Sequence, residues 1–417
     1  MPARLAPVEY AGVVRKTLLY AVIVALPAVL LLLAPAPADA AAPSEWLVGT
    51  TAGIRTAANA PGTQIAPGVR VVRGGRDTLR RLRSRPDVRW VEPNRHFTPS
   101  SLAAPTDPFF KQQWALRAAR VPRAWRTSVG GGVAVAILDT GIDAGHPDLA
   151  RNLWTNPGEI PANGVDDDSN GYVDDVHGAD MVDGDGDPAD GLGHGTAVAG
   201  VIGGRGNNAT GISGVAWRVR LMPVKVLPDQ GVGTTATLVA GLQYALANGA
   251  RVVNMSLNGA DRSLALEETI AAAEAQGVLV VASAGNDGGD RDSVPSYPAS
   301  ITSSAVVSVA SSSRGGRLAY ASAYGASSVD IAAPGDNILT TDPRGRYGTH
   351  SGTSFAAAYV SGAAALLASA QPAASGSHLR GAMLASARHG DRLDGRVPGG
   401  QLNVAGAVRR LVPPARR

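Results

Sequence analysis

Apolar and polar positions alternate along this chain in two rhythms. Short, nearly unbroken apolar runs at 133–138 (VAVAIL), 221–227, 251–256, 278–283 and 305–310 predict strands buried on both faces. Between and after them, residues 235–248, 264–276 and 354–369 carry the longer spacing of helices. Strand and helix alternate with short connections, which predicts an α/β fold: a doubly wound, mostly parallel sheet with helices on both faces. In such sheets chemistry gathers at the carboxyl ends of the strands. The stretch 45–101 has another texture, Arg-rich, with a period-two strand at Val88-Arg89-Trp90-Val91, and predicts a small α+β module. SLAAPTDP (101–108) follows as a linker suited to nicking.

Composition changes this picture at three points. Aromatic residues make up only 5% of the 417, so the core must be built from Ala, Val, Leu and Ile. The formal charge of +4 suggests an acidic partner until its placement is examined. Residues 43–102 hold ten Arg against four acids, whereas 103–417 hold 25 Lys and Arg against 28 Asp and Glu, a net of −3. No nucleic-acid partner is therefore implied.

Arg4, Arg15 and Lys16 precede the apolar run 17–34, and Ala38-Asp39-Ala40 fits a small-residue cleavage site, so 1–40 reads as a signal peptide and the product as secreted. A retained membrane anchor through 17–34 is the rival reading. The expected division is signal peptide 1–40, leader module 41–104, α/β domain 105–412 and a short tail 413–417. With no Cys there is no disulfide or thiol chemistry, and bound metal becomes the alternative source of rigidity.

SGTSFAAAYVSG (351–362) places Ser354 at the start of an Ala-rich helix, as an N-cap or as a nucleophile beside helix N–H groups. Three other polar residues stand at predicted strand ends or helix starts: Asp139 in AILDTGID, His194 in GLGHGTAVAG and Asn286 in SAGN. Amide hydrolysis needs an activated hydroxyl, a base that takes and returns its proton, a carboxylate that holds the base, and donors for the oxyanion. Together with GHPDL, NMSL and AAPG, in this order, these motifs resemble those of the subtilases, the subtilisin-like serine proteases. The resemblance covers nearly all of 107–411. It implies an endopeptidase with Asp139 as orienting carboxylate, His194 as base and acid, Ser354 as nucleophile and Asn286 as oxyanion donor. Ala197, Phe355 and Ala358 depart from the usual His, Met and Pro without removing a catalytic atom. A catalytically silent binding protein on the same scaffold would need a broken triad, and none of the four positions is broken.

By the same resemblance, Gly231-Val232-Gly233 and Ser256-Leu257-Asn258 should flank an extended polypeptide substrate as an added strand. Ser256 to Asn258, Ala284, Gly285 and Ser296 should line the pocket for the residue before the scissile bond. No acid stands in these segments, which argues against strict basic specificity. PDVRWVEPN (86–94) resembles the end of an inhibitory propeptide, so the leader module is expected to inhibit the enzyme and to be cut off between Pro99 and Thr106; an accessory domain retained in the mature enzyme is the other reading. The chain is expected to act as a monomer.

DDDSNGYVDD (166–175) resembles a calcium loop with Asp166, Asp168 and Asn170 as ligands, but lacks the closing Glu of an EF-hand. Asp180, Asp183, Asp185 and Asp187 follow, a density of hard oxygen donors suited to Ca²⁺. From the family pattern alone, Asp107, Asp148, Asn208, Thr210 and Ile212 form a further calcium site, the last two through backbone carbonyls.

Overall fold

The computed structural model describes residues 45–51, 62–94, 104–393 and 395–412. The signal segment, most of the expected cleavage region and the tail lie outside them. The chain divides into two compact units, Met1–Pro99 and Ser100–Arg417.

In the first unit β1 (Glu45–Thr50), β2 (Thr63–Ala66), β3 (Val69–Arg73) and β4 (Val88–Pro93) form an antiparallel sheet in the order β2-β3-β1-β4, with α1 (Arg76–Arg83) between β3 and β4. Trp46 and Val48, two apart on β1, and Leu79 and Leu82, three apart on α1, bring their apolar faces together with Val72. This is the small α+β module that the alternation predicts.

The second unit opens with α2 (Trp114–Ala118) and α3 (Val121–Ala124). Its sheet comprises β5 (Ala134–Asp139), β6 (Ala179–Asp180), β7 (Arg220–Lys225), β8 (Val252–Met255), β9 (Leu279–Ser283), β10 (Val306–Ser312) and β11 (Ile331–Pro334). All are parallel, in the order β11-β10-β9-β8-β5-β7-β6. From β5 the chain goes first to the edge strand β6 and returns through β7, then crosses to β8 on the other side of β5 and winds outward to β11, so β5 marks the switch point. The helices are α4 (His194–Gly203), α5 (Thr235–Ala247), α6 (Leu264–Ala275), α7 (Thr353–Ala370), α8 (Gly376–Leu384) and α9 (Val404–Leu411).

Alternation along β5 distributes its side chains between two cores. Val135 and Ile137 pack with residues of α4 and α7, while Ala134, Ala136 and Leu138 pack with residues of α5 and α6. The sheet is therefore covered on both faces, which is why its strands read as continuous apolar runs rather than as alternating ones. The 18-residue α7 is apolar enough to cross a bilayer, yet 89% of it is buried, as befits a central core helix. Small residues let it approach its neighbours: a Cβ on Gly362 would stand 2.6 Å from Cβ of Val215.

Predicted boundaries fall within about two residues of those observed. The strand expected at 221–227 stops at Lys225, because the backbone N–H groups of Val226 and Leu227 both turn to the carbonyl of Asp139. The hairpin of β12 (Ile338–Asp342) and β13 (Arg346–His350) is not foreseen; RYGTH contains no apolar run.

Candidate active site

The carboxyl ends of β5, β8 and β9 and the first turns of α4 and α7 meet at one rim of the sheet. β5 carries Asp139 to that rim with no accessible surface, and its Oδ1 accepts from the N–H of Thr140 at 2.8 Å and lies 2.7 Å from Nδ1 of His194. The turn that carries His194 is held by a residue the sequence reading overlooks. Asp190 accepts from Thr140 Oγ1 and Gly193 N at its Oδ1 (2.8 and 2.7 Å) and from Thr196 N and Oγ1 at its Oδ2 (2.8 and 2.6 Å). It thereby caps α4, whose own N-cap, Gly193, has no side chain to do so. The signal was present in DGLGHG, an acid four residues before the His. The charge of Asp139, first, and that of Asp190 raise the His194 pKa above its usual 6.5, with burial opposing them.

Ser354 is not the cap of α7. Gly352 occupies that position without a side-chain cap, and Ser354 lies inside the first turn, 5% exposed. Its hydroxyl donates to the carbonyl of Ser256 at 3.3 Å, and among the described residues no hydrogen bond joins it to His194. Gly352 adopts φ +152°, a backbone conformation that favours glycine, and a Cβ there would make only ordinary contact, at 3.4 Å, with the Asn286 amide. Asn286 Oδ1 accepts from Thr353 N and Oγ1, so its Nδ2 is the half left to face the rim.

His194, Ser354 and Asn286 line one cleft of about 480 Å³. Gly231, Val232, Gly233, Ser256, Leu257 and Asn258 also line it. Ala284, Gly285 and Ser296 do not line it; they are buried behind its wall, and Ser296 Oγ reaches back to the carbonyl of Gly259 at 3.4 Å. Asp261, outside the segments named from the sequence, brings an exposed carboxylate to the same cleft. A second cavity of about 870 Å³ adjoins the other side of His194, bounded by Phe355 and by His350, whose Nε2 is 2.7 Å from Asp342.

The model of the subtilase family matches residues 130–407. Thermitase of Thermoactinomyces vulgaris is 37% identical over 266 residues, 64% of this chain and 85% of its own length. Subtilisin DY of Bacillus licheniformis is 37% identical over 260 residues, 62% of this chain and 84% of its own. A solved protease structure from Pseudoalteromonas arctica superposes with a TM-score of 0.64 at 31% identity, covering 74% of this chain and all (100%) of that one.

The chain belongs to the subtilase family. It is a subtilisin-like serine endopeptidase acting on polypeptides, and its fold is the one the resemblance implied.

This subtilase gathers its acidic residues differently from the sequence expectation. Among the described residues, three carboxylates come within reach of one ion only at Glu159, Asp168 and Asp175, whose ligand atoms lie within 4.8 Å of one another. Glu159 and Asp175 were not foreseen as ligands; Glu159 lies outside the DDD motif. Oε2 of Glu159 is buried without a hydrogen bond, and burial pushes the Asp175 carboxyl above the usual range. An all-oxygen, mutually repelling and partly unsatisfied set fits a hard divalent cation. Asp166 instead caps the turn, accepting from Asn170 N and Gly171 N, and the Asn170 amide donates to Asp175.

Asp107 and Asp148 meet across Asn208: Asp107 Oδ1 accepts from Asn208 N at 3.0 Å, and Asn208 Nδ2 donates to Asp148 Oδ1 at 2.8 Å. Ile212 N reaches Asp148 Oδ2 at 2.9 Å, and Thr210 N reaches the Asn208 side chain. Asp180 is buried under the N–H groups of Val182 and Asp183, while Asp183, Asp185 and Asp187 are exposed.

Proposed function

We propose that this endopeptidase works through Asp139, His194 and Ser354, with Asn286 donating to the oxyanion. The reading rests on one observation: an imidazole anchored through Nδ1 to a fully buried carboxylate opens onto the same cleft as a helix-borne serine and a side-chain amide. With the Nδ1 proton held toward Asp139, Nε2 is the basic atom. It takes the Ser354 proton as Oγ attacks the scissile carbonyl and returns it to the leaving amine, and Asp139 balances the imidazolium in between. The hydroxyl need only turn from the Ser256 carbonyl, a reorientation that substrate binding commonly completes. Negative charge on the carbonyl oxygen meets Asn286 Nδ2 and the N–H of Ser354 in the first turn of α7. The acyl-enzyme is then hydrolysed by the same groups.

An extended polypeptide between 231–233 and 256–258 fits the cleft as an added strand. Calcium fits Glu159, Asp168 and Asp175, by family pattern the Asp107, Asp148 and Asn208 group, and by carboxylate density the 180–187 run; the ion would replace missing disulfides as a loop clamp and take no part in the chemistry. The first unit acts as an inhibitory propeptide, and the apolar segment 17–34 directs the chain out of the cell. Labelling by a fluorophosphonate together with casein hydrolysis tests the core of this reading. Both should be present in the wild type and absent in Ser354→Ala; labelling that survives in Ser354→Ala would overturn it.

A further inference from the structure

Beneath the Asn286 loop lies a cation that the proposed chemistry leaves unused. Arg291 is 4% exposed. Its Nε donates to the Ala284 carbonyl at 2.7 Å, its Nη1 to the Val294 carbonyl at 3.3 Å, and its Nη2 to the carboxylate of Asp287. A guanidinium removed from water is costly unless its donors are all directed to partners, so a buried one signals a demand for a fixed fork of hydrogen bonds. Its anchors straddle the oxyanion donor: Ala284 lies two residues before Asn286 and Asp287 one after.

The backbone around those anchors is rich in glycine. Gly285 stands at φ +115° and Gly288 at +67°, with Gly289 next, so the loop gains little rigidity from its own residues. Arg291, in contrast, is fixed: its N–H donates to the Tyr324 carbonyl at 2.7 Å, and its side chain crosses under Gly285 so closely that a Cβ there would lie 2.4 Å from Nη2. Thr353 holds the Asn286 side chain and the Gly285 N–H from the α7 side, and segment 321–324 bonds the backbone of Gly285, Gly288 and Gly289; among the described residues Arg291 is the side chain that bonds both Ala284 and Asp287, on either side of Asn286.

We propose that Arg291 is a positioning residue for the oxyanion donor: its guanidinium pins Ala284 and Asp287 and so holds the Asn286 amide where the carbonyl oxygen becomes negative. The inference rests on the role given to Asn286 above. A donor displaced by a fraction of an ångström is worth much less to a transition state than to a bound ground state, so the effect belongs in kcat rather than KM.

The test is a double-mutant cycle on the mature enzyme with a chromogenic peptide, with active sites titrated and folding checked by thermal melts. Arg291→Met should lower kcat about tenfold with KM within about twofold, yet lower it less than about twofold when Asn286 is already Ala. Arg291→Lys, which keeps the charge but loses the fork, is measured in the same way and decides the matter if the Met variant does not fold. Equal losses of kcat in both backgrounds would show a merely structural staple and overturn the proposal, as would a loss confined to KM. If Asn286→Ala alone leaves kcat unchanged, the oxyanion role of Asn286 fails first, and that outcome is read before Arg291 enters.

Discussion

Thr353 donates both its backbone N–H and its hydroxyl to a single atom, Asn286 Oδ1, at 2.8 and 2.9 Å. Two donors on one atom fix which end of the amide is oxygen, and so fix Nδ2 as the donor at the rim. Asn286→Ala should lower kcat by about 10² to 10³ with little change in KM. Thr353→Val keeps the backbone donor and loses the hydroxyl, so its loss of kcat should be smaller. A Thr353→Val loss equal to that of Asn286→Ala would mean that the hydroxyl does more than orient.

Gly352 allows a second check on the same corner. Its φ of +152° favours glycine, and the strain of forcing another residue there is of order 1–3 kcal/mol. Gly352→Ala should therefore disturb the start of α7, lowering both the melting temperature and the rate of fluorophosphonate labelling of Ser354. Wild-type labelling in a fully folded variant would show that the turn is not what presents the serine.

The strands and helices of the second unit were legible because both faces of its sheet are covered, so burial wrote itself into unbroken apolar runs such as 133–138. Asp139, His194, Asn286 and Ser354 were legible because glycine-rich motifs surround them. Less visible were groups that act through tertiary contacts. Asp190, Arg291 and Thr353 are ordinary residues in loops or first turns, and only the fold aims them at their partners. The carboxylates that gather around the DDD motif were only partly legible for the same reason: Asp166 accepts from its own turn, while Glu159 arrives from a preceding segment.

Glu159 supplies the prediction for the metal. Removing an ion held at a hundred times its dissociation constant costs about 2.7 kcal/mol, or about 4 °C in melting temperature for a domain of this size. EDTA should lower the melting temperature by that order, and Glu159→Gln should shrink the difference between melts with and without EDTA. Identical EDTA shifts in wild type and variant would place the ion elsewhere, with Asp148→Asn the next variant to melt.

Maturation gives a prediction by mass. If the first unit is removed by the enzyme's own serine, wild-type protein should lose the segment up to a point between Pro99 and Thr106, whereas Ser354→Ala should retain it. Adding active wild type in trace amounts to the variant tells self-cleavage in trans from cleavage by the host. A Ser354→Ala product already trimmed in that window, without added enzyme, contradicts self-processing.

The pairing of His194 with Asp139 sets the acid limb of activity. With the neutral imidazole as the proposed base, and with the carboxylates of Asp139 and Asp190 favouring its charged form, kcat/KM should rise with pH through an apparent pKa above 6.5. Stability runs in the opposite sense. A histidine whose folded pKa is raised contributes fully below its unfolded pKa, and that contribution is lost as pH rises through the folded value. Asp139→Asn removes the larger cause and the tautomer anchor together, and should cost on the order of 10⁴ in kcat, the scale of this carboxylate in serine proteases generally. Asp190→Asn removes only a neighbouring charge, so it should move the acid limb to lower pH while leaving the plateau rate within about tenfold. It also weakens the cap of α4 and should lower the melting temperature, but the midpoint of the limb does not depend on how much protein is folded. An acid limb left in place by Asp190→Asn would show that this carboxylate holds the loop without tuning the base.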